Sequence, residues 1–242
     1  ALPRAAALPR AAALPTDALP PAGTLPAGAL LAGSTVAVAV SAAHQRWLTP
    51  AERARAGALM RDGDRADYVA AHVLARRCAA LVLGTAPDRL TLVQRCPECG
   101  QAGHGPPAIA EAPHLRLSLA HTRGYVAAAA DTTEVAVDAE RLAAGSTVDS
   151  LTGAVLTPAE QALVRNSAQP ELTFARIWVR KEALVKLGLA TLDTLPELDV
   201  SQALADSATW HGYAVHGWTD PSGAAVGAMV GRRVPALIRL LG

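Results

Sequence analysis

Two carboxylates at the end of a short apolar strand restrict how the rest of this chain can be arranged. The run Glu134-Val-Ala-Val-Asp138-Ala-Glu140 is mostly apolar, which predicts a largely buried strand. Residues two apart on a strand project to one face, so Asp138 and Glu140 lie side by side while Ala139 faces the other way. Adjacent carboxylates repel each other unless a cation neutralises them. The pattern therefore predicts a cation at this end of the strand.

A helix predicted over residues 170–189 supplies groups that complement this pair. Its apolar residues follow helical spacing, and Lys181, Glu182 and Lys186 interrupt them. Glu182 and Lys186 are four apart, so one interpretation is a solvated salt bridge worth only about 0.3–0.5 kcal/mol. In the other interpretation, Glu182 adds a third carboxylate for Mg²⁺, which prefers oxygen ligands, and Lys186, supported by Lys181, binds a polyphosphate.

These motifs together resemble the phosphopantetheinyl transferases of the surfactin-synthetase-activating type. Asp138-Ala-Glu140 and Trp178-Val-Arg-Lys181-Glu182-Ala-Leu-Val-Lys186 are similar to the family's Asp-x-Glu and Trp-x-x-Lys-Glu-x-x-x-Lys. The resemblance covers roughly residues 49–188. Supporting segments are Cys96-Pro-Glu-Cys99-Gly-Gln-Ala-Gly-His104-Gly-Pro-Pro107, Ser118-Leu-Ala-His121-Thr-Arg-Gly124 and Leu156-Thr-Pro-Ala-Glu160.

The resemblance implies a magnesium-dependent transferase. Such an enzyme moves the 4′-phosphopantetheine arm of coenzyme A to a serine of an apo acyl or peptidyl carrier protein and releases adenosine 3′,5′-bisphosphate. The implied fold is α+β, with two similar lobes in a pseudo-twofold arrangement and coenzyme A and Mg²⁺ between them. We expect the lobes at residues 34–133 and 134–242. The second lobe would carry the metal ligands Asp138, Glu140 and Glu182.

The same resemblance assigns roles to single residues. His121 would contact the nucleotide's phosphates, although a structural histidine remains an alternative, and Arg53 would bind the 3′-phosphate unless it lies on a solvated helix face. Glu182 or a metal-bound water would accept the serine proton, and Lys186 would stabilise the pyrophosphate. The positions expected to contact coenzyme A are Arg53, Gly105, Pro106, Ala120, His121, Lys181 and Lys186.

Two positions depart from the family pattern and support a second hypothesis. Pro106 stands where a basic residue is common, and Ala120 replaces a serine. Both changes favour a non-catalytic module that binds coenzyme A or a carrier protein. A third hypothesis, a zinc-stabilised nucleic-acid-binding protein, depends on Cys96 and Cys99, with His104 as a third ligand and His114 as the nearby candidate for a fourth. A tight loop shaped by proline and glycine explains the same residues without zinc.

Composition limits the remaining classes. The net charge of +1 gives no support to a nucleic-acid or membrane partner. Repeated prolines in residues 1–33 prevent a continuous helix, so this Ala/Leu/Pro segment predicts a flexible or polyproline-like leader. The odd count of three cysteines argues against a disulfide framework and predicts a reducing cytoplasm as the location. We expect a monomer.

Hydrophobic patterning predicts the secondary structure only coarsely. The strands at residues 124–130 and 134–137 are expected to form a hairpin that turns at residues 131–133. Other predicted strands cover residues 35–40, 90–93, 115–119, 210–218 and 224–230, and helices cover 50–60, 65–83, 158–166 and 170–189.

Overall fold

A computed structural model describes residues 25–142 and 148–241, without the side chains of residues 148–151. The first 24 residues of the predicted leader lie outside this range. The helices are α1 (Pro50–Ala58), α2 (Asp62–Leu83), α3 (Val148–Val155), α4 (Pro158–Arg165) and α5 (Pro170–Lys186). The strands are β1 (Gly28–Ser34), β2 (Leu92–Arg95), β3 (Ala102–Ile109), β4 (Arg116–Thr122), β5 (Tyr125–Asp131), β6 (Val135–Arg141), β7 (Ser207–Trp210), β8 (Tyr213–Thr219), β9 (Ala225–Gly231) and β10 (Leu237–Leu241).

The fold is α+β, as the sequence predicts, and two four-stranded sheets form its centre. The first has the order β10-β1-β5-β4 and the second β6-β9-β8-β7, while β2 and β3 form a separate hairpin. The strand β10 pairs with β1 in parallel, so the C-terminal strand belongs to the first sheet and not to the second. The chain therefore does not divide between the sheets at residue 134. The pseudo-twofold relation between lobes stays a prediction.

The two faces of each strand contact different layers of the protein. Along β5, Val126 and Ala128 pack with α2, whereas Ala127 and Ala129 face the second sheet. The contacting faces are rich in alanine, and a buried hydrogen bond of 3.0 Å from Trp218 Nε1 to the Tyr125 hydroxyl crosses between them. The helix α5 covers the outer face of the second sheet. The sheets thus pack face to face, with one long helix outside each.

The helices α1 and α4 begin in the same way. Thr49 and Thr157 accept a backbone N–H from the third helical residue, and the glutamate there reaches back to the cap. Those glutamates, Glu52 and Glu160, are both buried. Each capping box therefore also places a carboxylate inside the protein, where it needs a cationic partner.

Three parts of the sequence prediction were wrong. Residues 28–34 form β1 instead of leader, because β5 and β10 hydrogen-bond this apolar run on both sides. The strand predicted at residues 35–40 is a series of turns, in which the Ser34 side chain accepts the N–H of Ala37. The strands β5 and β6 do not form a hairpin, because β1 and β4 occupy both edges of β5.

None of the helices described in the two ranges is long and apolar enough to cross a membrane.

Candidate active site

The three predicted metal ligands lie on facing surfaces of β6 and α5. On β6, Val137 and Ala139 turn toward the first sheet, so Asp138 and Glu140 turn the other way, toward the helix. Asp138 is buried, and Glu140 and Glu182 are half-buried. The strand and the helix therefore bring together groups that are more than forty residues apart in sequence.

Lys186 connects this group to the first sheet. Its Nζ atom lies 2.8 Å from Asp138 Oδ1 and donates to the Val137 carbonyl at 3.0 Å. It also donates to the Leu119 carbonyl on β4 at 3.3 Å. The hydroxyl of Thr122 on β4 donates to Glu140 Oε1 at 2.9 Å. The acidic group is therefore anchored where the edge strands β4 and β6 meet.

The carboxylates form one electrostatic unit. Burial raises the pKa of Asp138, and the charge of Glu140 raises it further, whereas Lys186 opposes both effects. Burial also raises the pKa of Glu182, with a further contribution from the charge of Asp138. Such mutual repulsion makes the group receptive to a divalent cation, because the cation would remove the cost of ionising each carboxylate.

The donor set suits Mg²⁺ in kind and in charge, since it consists of carboxylate oxygens. The carboxylate oxygens of the three residues are farther apart than the ligand atoms of a closed cation centre. A closed centre would need three ligand atoms from acidic, histidine or cysteine side chains within 4.8 Å of one another. Within the described ranges, one group meets this measure, and it consists of Cys96, Cys99 and His104. Asp138, Glu140 and Glu182 do not meet this measure, which agrees with their repulsion and with the Lys186 ammonium beside Asp138.

Lys181 does not belong to the site, contrary to the prediction. It is fully buried, and its Nζ atom lies 2.6 Å from Glu160 Oε2. The same atom donates to the carbonyls of Val155 and Leu195 at 2.6 and 2.8 Å. These acceptors use all three ammonium hydrogens. The Lys181 side chain is fully buried, whereas that of Lys186 is partly exposed, so Lys181 holds α5 to α4 and cannot reach a ligand.

A cavity of about 500 Å³ borders the acidic group. It is shared by α1, α2, β4 and the β2–β3 hairpin, and it includes Leu119 and Thr122, which contact Lys186 and Glu140. The charged side chains in its lining are Arg55 and Arg123, against Asp64 and Asp67, and His72, His104 and His121 add imidazole groups. Asp67 is already engaged, because it accepts the N–H of Gly124 at 2.9 Å and the hydroxyl of Thr35. The lining suits an anionic ligand.

The structure changes the assignment of the arginine in this cavity. Arg53 is exposed on α1, its guanidinium donates to the Leu48 carbonyl, and it does not line the cavity. Arg55 does line it. Two residues along a helix correspond to about 200°, so the two side chains leave opposite faces. The predicted residue Arg53 therefore lies on the same helix as the cavity-lining Arg55 but faces away from the cavity.

His121 lines the cavity, at the end of β4. Although part of the residue is open to solvent, the surrounding wall desolvates the ring and lowers its pKa, and His72 adds to this shift. Its ring meets Tyr68 edge to face at 6.3 Å between centroids. The imidazole is therefore mainly neutral at pH 7, and an anion bound beside it would favour its protonation.

A buried ionic cluster behind the cavity wall was missed from the sequence. Arg76 donates to both oxygens of Glu52, at 2.7 and 2.6 Å, and His72 Nδ1 lies 2.6 Å from Glu52 Oε1. Burial acts to raise the pKa of Glu52, but the hydrogen bonds from His72 and Arg76 outweigh it and lower the value to about 2. Tyr68 stacks on His72 at 4.0 Å. The cluster fixes two residues that line the cavity.

The remaining predicted contacts differ in their outcome. Gly105 lines the cavity at φ +100°, where an added Cβ would lie 2.6 Å from the Arg95 carbonyl oxygen. Pro106 is exposed and does not line the cavity. Ala120 packs between the two sheets, because it alternates with His121 along β4. Ala120 therefore cannot contact a ligand in this cavity, and that prediction was wrong.

Fold and site together define an α+β protein with an acidic cluster beside a cavity suited to phosphate groups. Residues 134–218 match the family model described as 4′-phosphopantetheinyl transferase superfamily. The matched segment contains Asp138, Glu140, Glu182 and Lys186. A comparison with curated proteins gave no significant match.

Proposed function

We propose that this protein transfers the 4′-phosphopantetheine arm of coenzyme A to a serine of an apo acyl or peptidyl carrier protein. The observation that carries the proposal is the position of Lys186. Its ammonium contacts Asp138 in the segment that matches the superfamily and also contacts Leu119, which lines the cavity. Lys186 therefore connects the proposed cation site to the neighbouring cavity. A bound pyrophosphate would need a cation to neutralise its charge and a cavity to hold the attached nucleotide.

In this proposal Asp138, Glu140 and Glu182 hold Mg²⁺. The ion would neutralise charge on the pyrophosphate as the bridging bond breaks. Lys186 adds a second cation that is already oriented by two backbone carbonyls, so little reorganisation is required when charge develops. The match to the superfamily supports the transferase class, while the metal and the subtype activating surfactin synthetase are part of the proposal.

Glu182 is the candidate general base. The serine hydroxyl oxygen forms a bond to the phosphorus next to pantetheine, and that phosphorus releases the bridging oxygen with adenosine 3′,5′-bisphosphate. The hydroxyl proton passes to Glu182, whose pKa is raised by burial and by Asp138. This shift belongs to the metal-free protein and a bound cation would oppose it, so the general-base assignment rests on the position of Glu182 near Asp138 and Lys186.

The cavity residues would bind the nucleotide portion. Arg55 and Arg123 provide permanent positive charge, and His121 provides a hydrogen-bond donor near β4. The alternative of a non-catalytic binding module depended on Ala120 and Pro106. Neither side chain lines the cavity, so neither supports that alternative. A monomeric state and a cytoplasmic location stay predictions.

One experiment tests the proposal directly. The chain is incubated with coenzyme A, Mg²⁺ and an apo carrier protein, and the intact mass of the carrier is measured. We expect the carrier to gain one phosphopantetheine, and the gain to disappear when the serine is replaced by alanine or when EDTA is added. Coenzyme A binding without any mass gain across several carrier proteins would favour the non-catalytic module.

A further inference from the structure

Two cysteines and one histidine form a second cluster in the β2–β3 hairpin. The ligand atoms of Cys96, Cys99 and His104 all lie within 4.8 Å of one another, and Cys99 Sγ is 3.3 Å from His104 Nε2. In a tetrahedral zinc site, Zn–S bonds of about 2.3 Å and Zn–N bonds of about 2.0–2.1 Å place sulfur and nitrogen roughly 3.6 Å apart. The observed separation is already close to that value.

The backbone around the cysteines is folded into a compact turn. Gly100 N donates to the Cys96 carbonyl at 2.9 Å, and Cys96 N donates to the Gln101 carbonyl at 3.0 Å. Gly100 has φ +69°, which favours glycine at this position. The backbone N–H groups of Cys99 and Glu98 lie near the Cys96 sulfur. Hydrogen bonds from such groups orient metal-bound ligands.

We propose that Cys96, Cys99 and His104 bind one Zn²⁺ ion, with water in the fourth position. Thiolate and imidazole donors select zinc over magnesium, so this site is chemically distinct from the carboxylates. Both cysteines are free, and the cluster is open enough for an ion to enter from solvent. His114, the fourth ligand considered from the sequence, is not part of the group.

The ion would stabilise one wall of the cavity. Gly103, His104 and Gly105 line the cavity, yet β3 buries only Ile109 among its residues. A short hairpin with so little buried surface gains more from a metal than from packing. The zinc site therefore connects hairpin order to the shape of the cavity. Zinc binding itself does not depend on the proposed function, whereas an effect of zinc on coenzyme A binding does.

The test measures zinc directly and does not require activity. The full chain is reconstituted with Zn²⁺, dialysed against zinc-free buffer and analysed by inductively coupled plasma mass spectrometry. We expect one zinc per wild-type chain and none above background in Cys99→Ser. The matched control is Cys78→Ala, which removes the buried thiol in α2 and should keep the zinc. Zinc retention by Cys99→Ser would overturn the assignment.

A second measurement uses wild-type protein, so its result does not depend on whether a variant folds. Wild-type protein loaded with Co²⁺ should show thiolate-to-metal charge-transfer absorption, and Zn²⁺ should shield Cys96 and Cys99 from alkylation. Wild-type protein that binds no zinc after reconstitution, or that holds these thiols as a disulfide in the presence of zinc, would contradict the proposal. A loss of transfer activity with intact zinc would instead count against the proposed function.

Discussion

The ammonium of Lys186 lies 2.8 Å from the carboxylate of Asp138 and also contacts the Leu119 carbonyl, so it joins the two sheets of the protein at one point. Asp138 belongs to β6 and Leu119 to β4, and these strands lie at the edges of different sheets. Replacement of either charged residue would therefore change both the local charge and the contact between sheets.

Asp138→Asn should eliminate most transfer without lowering the melting temperature of the metal-free protein. The fold raises the pKa of Asp138, so its ionisation opposes folding at neutral pH and asparagine removes that cost. We expect transfer to fall by at least about 100-fold, because metal-ion stabilisation contributes several kcal/mol. Thermal scans in EDTA and initial rates at saturating Mg²⁺ measure the two effects. Near-wild-type rates would remove Asp138 from the ligand set.

Glu182→Gln separates a base from a metal ligand. If Glu182 mainly accepts the proton, turnover should fall by about 10²–10⁴-fold at every Mg²⁺ concentration. If Glu182 is mainly a ligand, high Mg²⁺ should restore most of the rate. Because the pKa of Glu182 is raised in the metal-free protein, a ligand role also predicts that more Mg²⁺ is required as the pH falls, and the variant should lack this dependence. Titration of Mg²⁺ against initial rate, repeated across pH, decides between the roles.

Arg55→Ala should raise the Michaelis constant for coenzyme A by about tenfold or more, because a charge-assisted hydrogen bond contributes roughly 1.5–3 kcal/mol. Arg53→Ala is the matched control, since it removes the same side chain from the opposite face of α1. Steady-state kinetics on both variants should show an increase in the first only. Equal effects would mean that helix charge, and not the cavity contact, determines affinity.

Lys181→Met should destabilise the fold by about 3–5 kcal/mol, because it leaves the Glu160 carboxylate buried without its cation. The double variant Lys181→Met with Glu160→Gln should recover much of this loss. Urea denaturation of the single and double variants measures the coupling. The Michaelis constant for coenzyme A of the folded double variant should stay unchanged. A large increase would indicate that Lys181 contributes to coenzyme A binding.

Acid should weaken the protein through Glu52. Its pKa is lowered from 4.5 to about 2 in the fold, so its contribution is complete above pH 4.5 and is lost as the pH falls toward 2. The shift corresponds to about 3 kcal/mol. Glu52→Gln should therefore lose stability at pH 7 but little at pH 2, as measured by denaturant unfolding at both values. An equal loss at both pH values would contradict the role of the Glu52 charge.

The sequence predicted the strand and the helix that carry the acidic residues, because hydrophobic periodicity is local there. Asp138 and Glu140 follow from strand alternation, and α5 follows from its apolar stripe. Lys181 was misassigned because its partner Glu160 lies on another helix, and no local pattern distinguishes a buried lysine from a ligand. The strands β1 and β10 were missed for a related reason. Each is a short apolar run whose partners lie far away in the chain.

Alanine at the interface between the sheets has a consequence for how this protein can tolerate sequence drift. Ala120, Ala127, Ala129 and Ala139 are nearly inaccessible and lie in the layer where the sheets meet. A valine or leucine there would still satisfy any preference for apolar residues, but its volume would push the sheets apart. Lys186 could then no longer span from Asp138 to Leu119. Mutations that look conservative in this layer are thus expected to inactivate the protein while it remains folded, so the methyl groups set the alignment of the site as much as its charged residues do.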